Sequence, residues 1–174
     1  MRTIVVGLLA LFICGCSSTY PNQLITGQVF PMVIGETLEG DQMSLPDDLN
    51  GKVSLLLIGY KQDSQFDIDR WLIGLDMTET RLDVYEVPTI QGLFPRMFST
   101  MINNGMRAGI PKSLWKGVIT VYEDGEMVQS YTGNQDPNNT RVVLLDENGI
   151  VLYFYDDGFS VEALNQLRAI ISKR

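Results

Sequence analysis

GKVSLLLIGYKQDSQFDIDRW, residues 51–71, is the stretch whose reading decides the fold. Val53, Leu55, Leu56, Leu57 and Ile58 make an almost unbroken apolar run of strand length, the pattern of a central strand covered on both faces. Gly59 ends the run, and Lys61, Gln62, Asp63 and Ser64 form a polar turn. Beyond it Ile68, Trp71, Leu72 and Leu75 fall at i, i+3, i+4 and i+7, one face of a helix. Ser64 is the expected N-cap, with Asp67 and Asp69 placing negative charge at the positive end of the helix dipole.

Working outward, residues 28–34 (QVFPMVI) predict a first strand, with Pro31 confining it to an edge. Residues 82–87 (LDVYEV) predict a strand that completes a parallel βαβ unit. Residues 93–107 predict one helix whose Phe94, Met97, Phe98, Met101 and Ile102 stripe is expected to pack on the sheet. Residues 118–122 (VITVY) are a further strand, and Asp124-Gly125 opens either a hairpin turn or a short helix through Tyr131. Residues 141–145 and 150–155 form a hairpin around Asn148-Gly149, the strongest short hairpin signal in the chain. Ser160 caps a last helix with Val161, Leu164, Leu167 and Ile171 expected inward. The order predicts an α/β sandwich: a central mixed sheet closing with a C-terminal β-hairpin and helix.

With 174 residues, 45 % of them hydrophobic, the chain is long enough for one domain with a real core. Its opening is set apart: Arg2, a short apolar run over residues 4–13, then Cys14-Gly15-Cys16-Ser17. Ten apolar residues fall short of the roughly 20 that span a bilayer, so this reads as a secretory signal. Residues 13–16 resemble the lipobox of bacterial lipoproteins, in which cleavage precedes a cysteine that then carries diacylglycerol. On that resemblance residues 1–15 are the signal peptide, Cys16 is the lipid attachment site, residues 16–24 are a tether and residues 25–174 the domain. Ser17 after the acceptor implies sorting to the outer membrane, facing the periplasm. Acyl chains, at about 0.8 kcal/mol per buried methylene, would hold the protein on the bilayer.

Loss of Arg2, the one charged residue of that leader, moves the formal charge from −8 to −9. Such a charge disfavours nucleic acid as a partner. Both cysteines lie at the leader boundary and the chain has no histidine. Thiol, Ser–His and His–metal chemistry are therefore outside the inventory of residues 17–174. No cofactor and no metal site is expected.

Residues 45–52 (LPDDLNGK), before an apolar strand and polar turn, resemble the opening of thioredoxin-like folds of the TlpA and peroxiredoxin kind. Residues 140–149 (TRVVLLDENG) are similar to their P-T-T-F-L-I-D-x-x-G segment, and residues 131–159 resemble the non-redox branch around the mitochondrial ATPase assembly factor Atp10. The resemblance implies a thioredoxin-like domain over residues 25–174. It also implies that Asp63-Ser64-Gln65-Phe66 stands where those families carry Cys-x-x-Cys, and that Thr140 stands at their cis-proline. Both departures imply an emptied redox site. The expected function is a lipid-anchored, non-catalytic binding or assembly module with an envelope protein as partner, touching it through Asp63, Ser64, Gln65, Thr140 and Arg141. A carrier of a small hydrophobic ligand on the Met/Phe helix is the alternative. An enzyme using Asp63, Asp67, Asp69 and Lys61 is the third reading, weakened because Asp67 and Asp69 do not face each other on a helix.

Overall fold

A computed structural model describes residues 18–173, with the backbone alone for Leu93 and Phe94. The leader and Cys16 lie outside the described residues. Seven strands and five α-helices follow one another: β1 (Val33–Thr37), β2 (Gln42–Leu45), β3 (Ser54–Gly59), α1 (Gln65–Met77), β4 (Asp83–Pro88), α2 (Leu93–Met97), α3 (Ser99–Gly109), β5 (Ile119–Thr120), α4 (Gly125–Thr132), β6 (Arg141–Leu145), β7 (Val151–Tyr155) and α5 (Val161–Ile171). None of these helices is long and apolar enough to cross a membrane.

The strands form a four-stranded sheet, β4-β3-β6-β7, and a three-stranded one, β2-β1-β5. Parallel bridges from Glu86 to Val118 and from Thr89 to Val121 join them. Only β3 and β4 run parallel among the full strand pairs, with Leu56 beside Tyr85, as the helical crossover requires. β6 pairs antiparallel with β3 and β7, giving the mixed sheet and terminal hairpin that the sequence predicts.

Every residue of β3 is buried, because the sheet is covered on both sides. Leu55 and Leu57 join Ile68, Trp71, Leu75, Leu164 and Leu167 under α1 and α5. Leu56 and Ile58 join Ile25, Phe30, Val121 and Val128 under α4 and the N-terminal segment. Trp71 is fully buried, edge-on to Phe159 with ring centres 5.3 Å apart. The hairpin turn holds as expected: Asp146 Oδ1 accepts from the backbone N–H groups of Asn148 and Ile150.

Three expectations are corrected. The first strand is Val33–Thr37 rather than residues 28–34: Val33, Gly35 and Thr37 are buried, Ile34 and Glu36 exposed, a period-two pattern that starts only after Pro31. Val29 makes just an isolated bridge to Ile150. The single helix over residues 93–107 is two helices that break at Phe98, and Met97, Phe98 and Met101 of its stripe face outward. Met97 is 69 % and Met101 67 % exposed. The opposite, polar side of α3 meets the protein: Tyr122 Oη donates to Asn103 Oδ1 at 2.9 Å and Arg107 Nε to the Leu38 carbonyl at 2.7 Å. Val161, expected inward, is 66 % exposed, while Ala163, Leu164 and Leu167 of α5 are buried. The Asp124-Gly125 ambiguity resolves as a helix, α4.

Part of the segment expected as a tether, residues 16–24, falls within the described residues. Residues 18–22 are bonded onto the domain. The Tyr20 N–H donates to Asn134 Oδ1 at 2.7 Å, and the Asn134 N–H donates to the Tyr20 carbonyl at 3.1 Å. Asn134 Nδ2 reaches the Ser18 carbonyl at 2.9 Å, and Tyr20 Oη reaches Glu126 Oε1 at 2.7 Å. This strap passes so close to Gly133 that a β-carbon there would sit 2.4 Å from Asn22 Cα. Gly133 also has φ +81°, where side chains are strained. Gly133→Ala is expected to cost about 2 kcal/mol and to displace the strap. Faster amide exchange at Tyr20 and Asn134 than in the parent protein would verify it.

Candidate functional site

β3 delivers the chain to the upper end of the sheet at Gly59, and the turn folds straight back over it. A β-carbon on Gly59 would lie 2.4 Å from Ser64 Oγ, so only glycine allows this approach. Ser64 is buried and does not cap α1. Residues Gln62–Ser64 form a 3-10 turn, Ser64 already has helical backbone angles, and its hydroxyl donates back to the Lys61 carbonyl at 2.6 Å. Asp63 is exposed on this turn. Gln65 reaches across with Nε2 to Asp69 Oδ1 at 2.9 Å and Glu86 Oε2 at 3.2 Å.

Burial raises the Glu86 carboxyl above its ordinary value, and Gln65 partly opposes the rise. A carboxylate whose folded pKa is raised favours the folded state below its unfolded pKa and loses that contribution as pH rises through the folded pKa. Glu86→Gln is therefore expected to raise stability at pH 7 relative to the parent and to show a smaller gain at pH 4. Urea midpoints at the two pH values test this.

Asp67 takes a role that the sequence reading did not give it. It is buried. Its Oδ2 accepts from the Thr140 N–H at 2.9 Å and its Oδ1 from the Phe159 N–H at 2.7 Å. One carboxylate thus ties α1 to the start of β6 and to the approach to α5. Proline has no N–H to give, so this bond needs a residue other than proline at position 140. A signal was present: Asp67, Trp71 and Gly74 fall at i, i+4 and i+7, which puts an acid in the buried stripe of α1.

Arg141 is fully buried too. Its guanidinium donates to the carbonyls of Gly133, Asp136 and Asn139 at 3.1, 2.6 and 2.8 Å, which curls the 133–140 loop around a single cation. It lies 4.9 Å from the Tyr60 ring centre, and the Tyr60 hydroxyl is hydrogen-bonded to Thr132 Oγ1. Burial pushes the Tyr60 phenol up to about 12 and lowers Arg141 from its usual value. Burial also raises Asp156, which faces the Arg141 charge.

Of the five expected contact residues, Asp63 and Gln65 are exposed, whereas Ser64, Thr140 and Arg141 lie beneath the surface. The last three support a wall rather than form one. The accessible feature is a cleft of about 910 Å³ alongside the turn. Tyr60 and Lys61, Ile90, Gln91 and Gly92 after β4, and Arg96 of α2 line it. So do Glu126 and Gln129 of α4, Asn134, Gln135 and Pro137, and the strap residues Ser18 and Thr19. Asn134 Nδ2 also donates to Gln129 Oε1 at 2.7 Å, fixing two amide groups in the wall. Arg96 and Glu123, 3.5 Å apart, separate this cleft from a second one of about 440 Å³ over Gly35, Glu36 and Thr120.

The cleft offers amides, phenols and charges of both signs. It carries no thiolate or imidazole, since residues 17–174 contain no cysteine or histidine. Among the described residues no three acidic side chains converge as metal ligands. Arg96, Glu123, Gln129 and Asn134 were not singled out in the sequence, because nothing in their local pattern tells that four distant segments meet here.

No family model and no curated protein matches the chain. Solved structures do. The thioredoxin domain of a thiol-disulfide oxidoreductase from Bacteroides vulgatus is 21 % identical with a TM-score of 0.55, covering 86 % of this chain and 99 % of that one. A thiol peroxidase from Chromobacterium violaceum is 12 % identical with a TM-score of 0.57, covering 90 % and 92 %. Copper-bound yeast Sco1 is 10 % identical with a TM-score of 0.60, covering 88 % and 96 %. At these identities the likeness is one of architecture: the chain has a thioredoxin-like α/β fold.

Proposed function

We propose that this chain is a non-catalytic, thioredoxin-like binding or assembly module of the bacterial envelope, held on the outer membrane by lipid at Cys16 and facing the periplasm. Its partner is an envelope protein, engaged at the cleft beside the Asp63 turn. The observation that carries this reading is the turn itself. The resembled families place a nucleophilic thiol there, and this chain has exposed Asp63 and a buried Ser64 bonded to its own backbone. Thiol exchange needs a thiolate, and residues 17–174 hold no sulfur except methionine. The enzymes among the similar structures therefore lend their architecture and not their chemistry. A carrier of apolar ligands would want an apolar cavity, and the larger cleft is lined by amides and charges. The charge of the chain disfavours nucleic acid.

Two measurements test the proposal. Purified protein is expected neither to reduce insulin nor to consume peroxide, and turnover of either overturns the non-catalytic reading. A photo-crosslinker at Gln91, on the cleft rim, is expected to join a discrete envelope protein in intact cells. Crosslinking that is unchanged when the probe is moved to Asn148, in the β6–β7 turn, overturns the cleft as the contact site.

A further inference from the structure

The strap fixes more than the cleft wall. Ser18 lines the cleft and is held through its carbonyl by Asn134. Only Ser17 stands between it and Cys16. Two residues of fully extended chain reach at most about 7 Å. An anchor at Cys16 is therefore joined to the cleft lining by a backbone link no longer than that. A flexible tether over residues 16–24 would have left the domain free to turn; the bonds of Ser18 and Tyr20 to Asn134 and of Tyr20 to Glu126 remove that freedom.

Resting on the anchoring at Cys16 proposed above, we propose that the strap-side rim of the cleft is a membrane-contacting surface, which seats on the headgroups of a zwitterionic bilayer. Lys61, the Arg96–Glu123 ion pair at 3.5 Å and Glu126 give the lining charges of both signs, which suits the phosphate and ammonium of a zwitterionic headgroup. The formal charge of −9 after loss of the leader works against an anionic bilayer. The strands then stand away from the membrane. β3 enters the sheet at Ser54, pairs there with Leu145, and ends at Gly59 beside the cleft. Six residues at about 3.3 Å each set the β6–β7 turn roughly 20 Å farther from the lipid than the rim. A protein partner entering the cleft is accordingly one presented in the plane of the membrane.

The cysteine-free body makes the test direct. Full-length chain, acylated during expression, is reconstituted in phosphatidylethanolamine–phosphatidylcholine vesicles containing a headgroup-attached spin-label quencher. Single variants Gln135→Cys, at the rim, and Asn148→Cys, in the far turn, carry the same fluorophore. Quenching at Gln135 is expected to exceed that at Asn148 at least threefold. Inserting twelve Gly/Ser residues between Ser17 and Ser18 adds about 20 Å of flexible reach and is expected to abolish the difference. Equal or reversed quenching in protein whose mass shows acylation overturns the orientation alone. A difference that survives the insertion overturns the short link as its cause. An unmodified Cys16 in the mass spectrum overturns the anchoring, and the orientation with it.

Discussion

Arg141→Met is expected to lower stability by about 4 kcal/mol, a large share of what a domain of this size has to lose. The side chain is fully buried and supplies hydrogen bonds to three carbonyls of one loop, those of Gly133, Asp136 and Asn139. Methionine fills part of the volume but leaves those oxygens without a donor, at about 1–3 kcal/mol for each one that stays dry. The loss also frees the 133–140 loop, and with it the cleft wall and the anchor of the strap. Arg141→Lys is expected to recover little, because an ammonium group cannot reproduce a planar fork that serves three acceptors. Urea unfolding measures both variants, and a midpoint shift with constant slope marks a change in stability rather than in the denatured chain. A shift equivalent to less than about 1 kcal/mol for Arg141→Met would mean that the loop holds its shape without the cation.

Asp67→Ala is expected to cost about 3 kcal/mol, since it strips the acceptor from one buried and one half-buried backbone N–H group at once. Those of Thr140 and Phe159 lie in segments far apart in sequence, and the carboxylate on α1 is what they share. Asp67→Asn is the sharper variant. It keeps the shape and one acceptor oxygen, but turns an NH₂ donor toward the other N–H, so about half the loss is expected to remain. Ordering of the three by urea midpoint, parent above Asn above Ala, verifies the assignment. Asn equal to the parent would show that one of the two bonds carries no weight.

How far the sequence could be read depended on whether a pattern has one physical cause. The run at Leu55–Ile58 admits one, a strand covered on both faces, and the structure supplies covers at Trp71 and Leu164 on one side and Ile25 and Val128 on the other. The Asn148-Gly149 turn was equally plain, because few sequences other than a turn place these residues between apolar runs. The Met97, Phe98 and Met101 stripe was read correctly as helical and wrongly as buried. Periodicity shows that a helix has two faces, but not which one meets the protein. Here Asn103 and Arg107 do, by hydrogen bonds to Tyr122 and Leu38. Ser64 misled for a related reason: a serine before a helix caps it only when its backbone is extended, as at Ser160, where the side chain accepts from Ala163. The cleft was not legible at all, since Tyr60, Arg96, Glu126 and Asn134 come together only once the crossover and loops are in place.

The join between the two groups of strands has a consequence for how the molecule would come apart. β5 contributes just Ile119 and Thr120, and its hold on β4 is the pair of bridges at Val118 and Val121. This seam runs past Tyr122, where the two cavities meet. The backbone stitching is sparse, yet Ile119 and Val121 are fully buried in one interior with Leu56 and Val87, and that packing holds the two sheets together. Parting the seam would tear that shared interior, so the two hollows stay distinct for as long as the domain is folded.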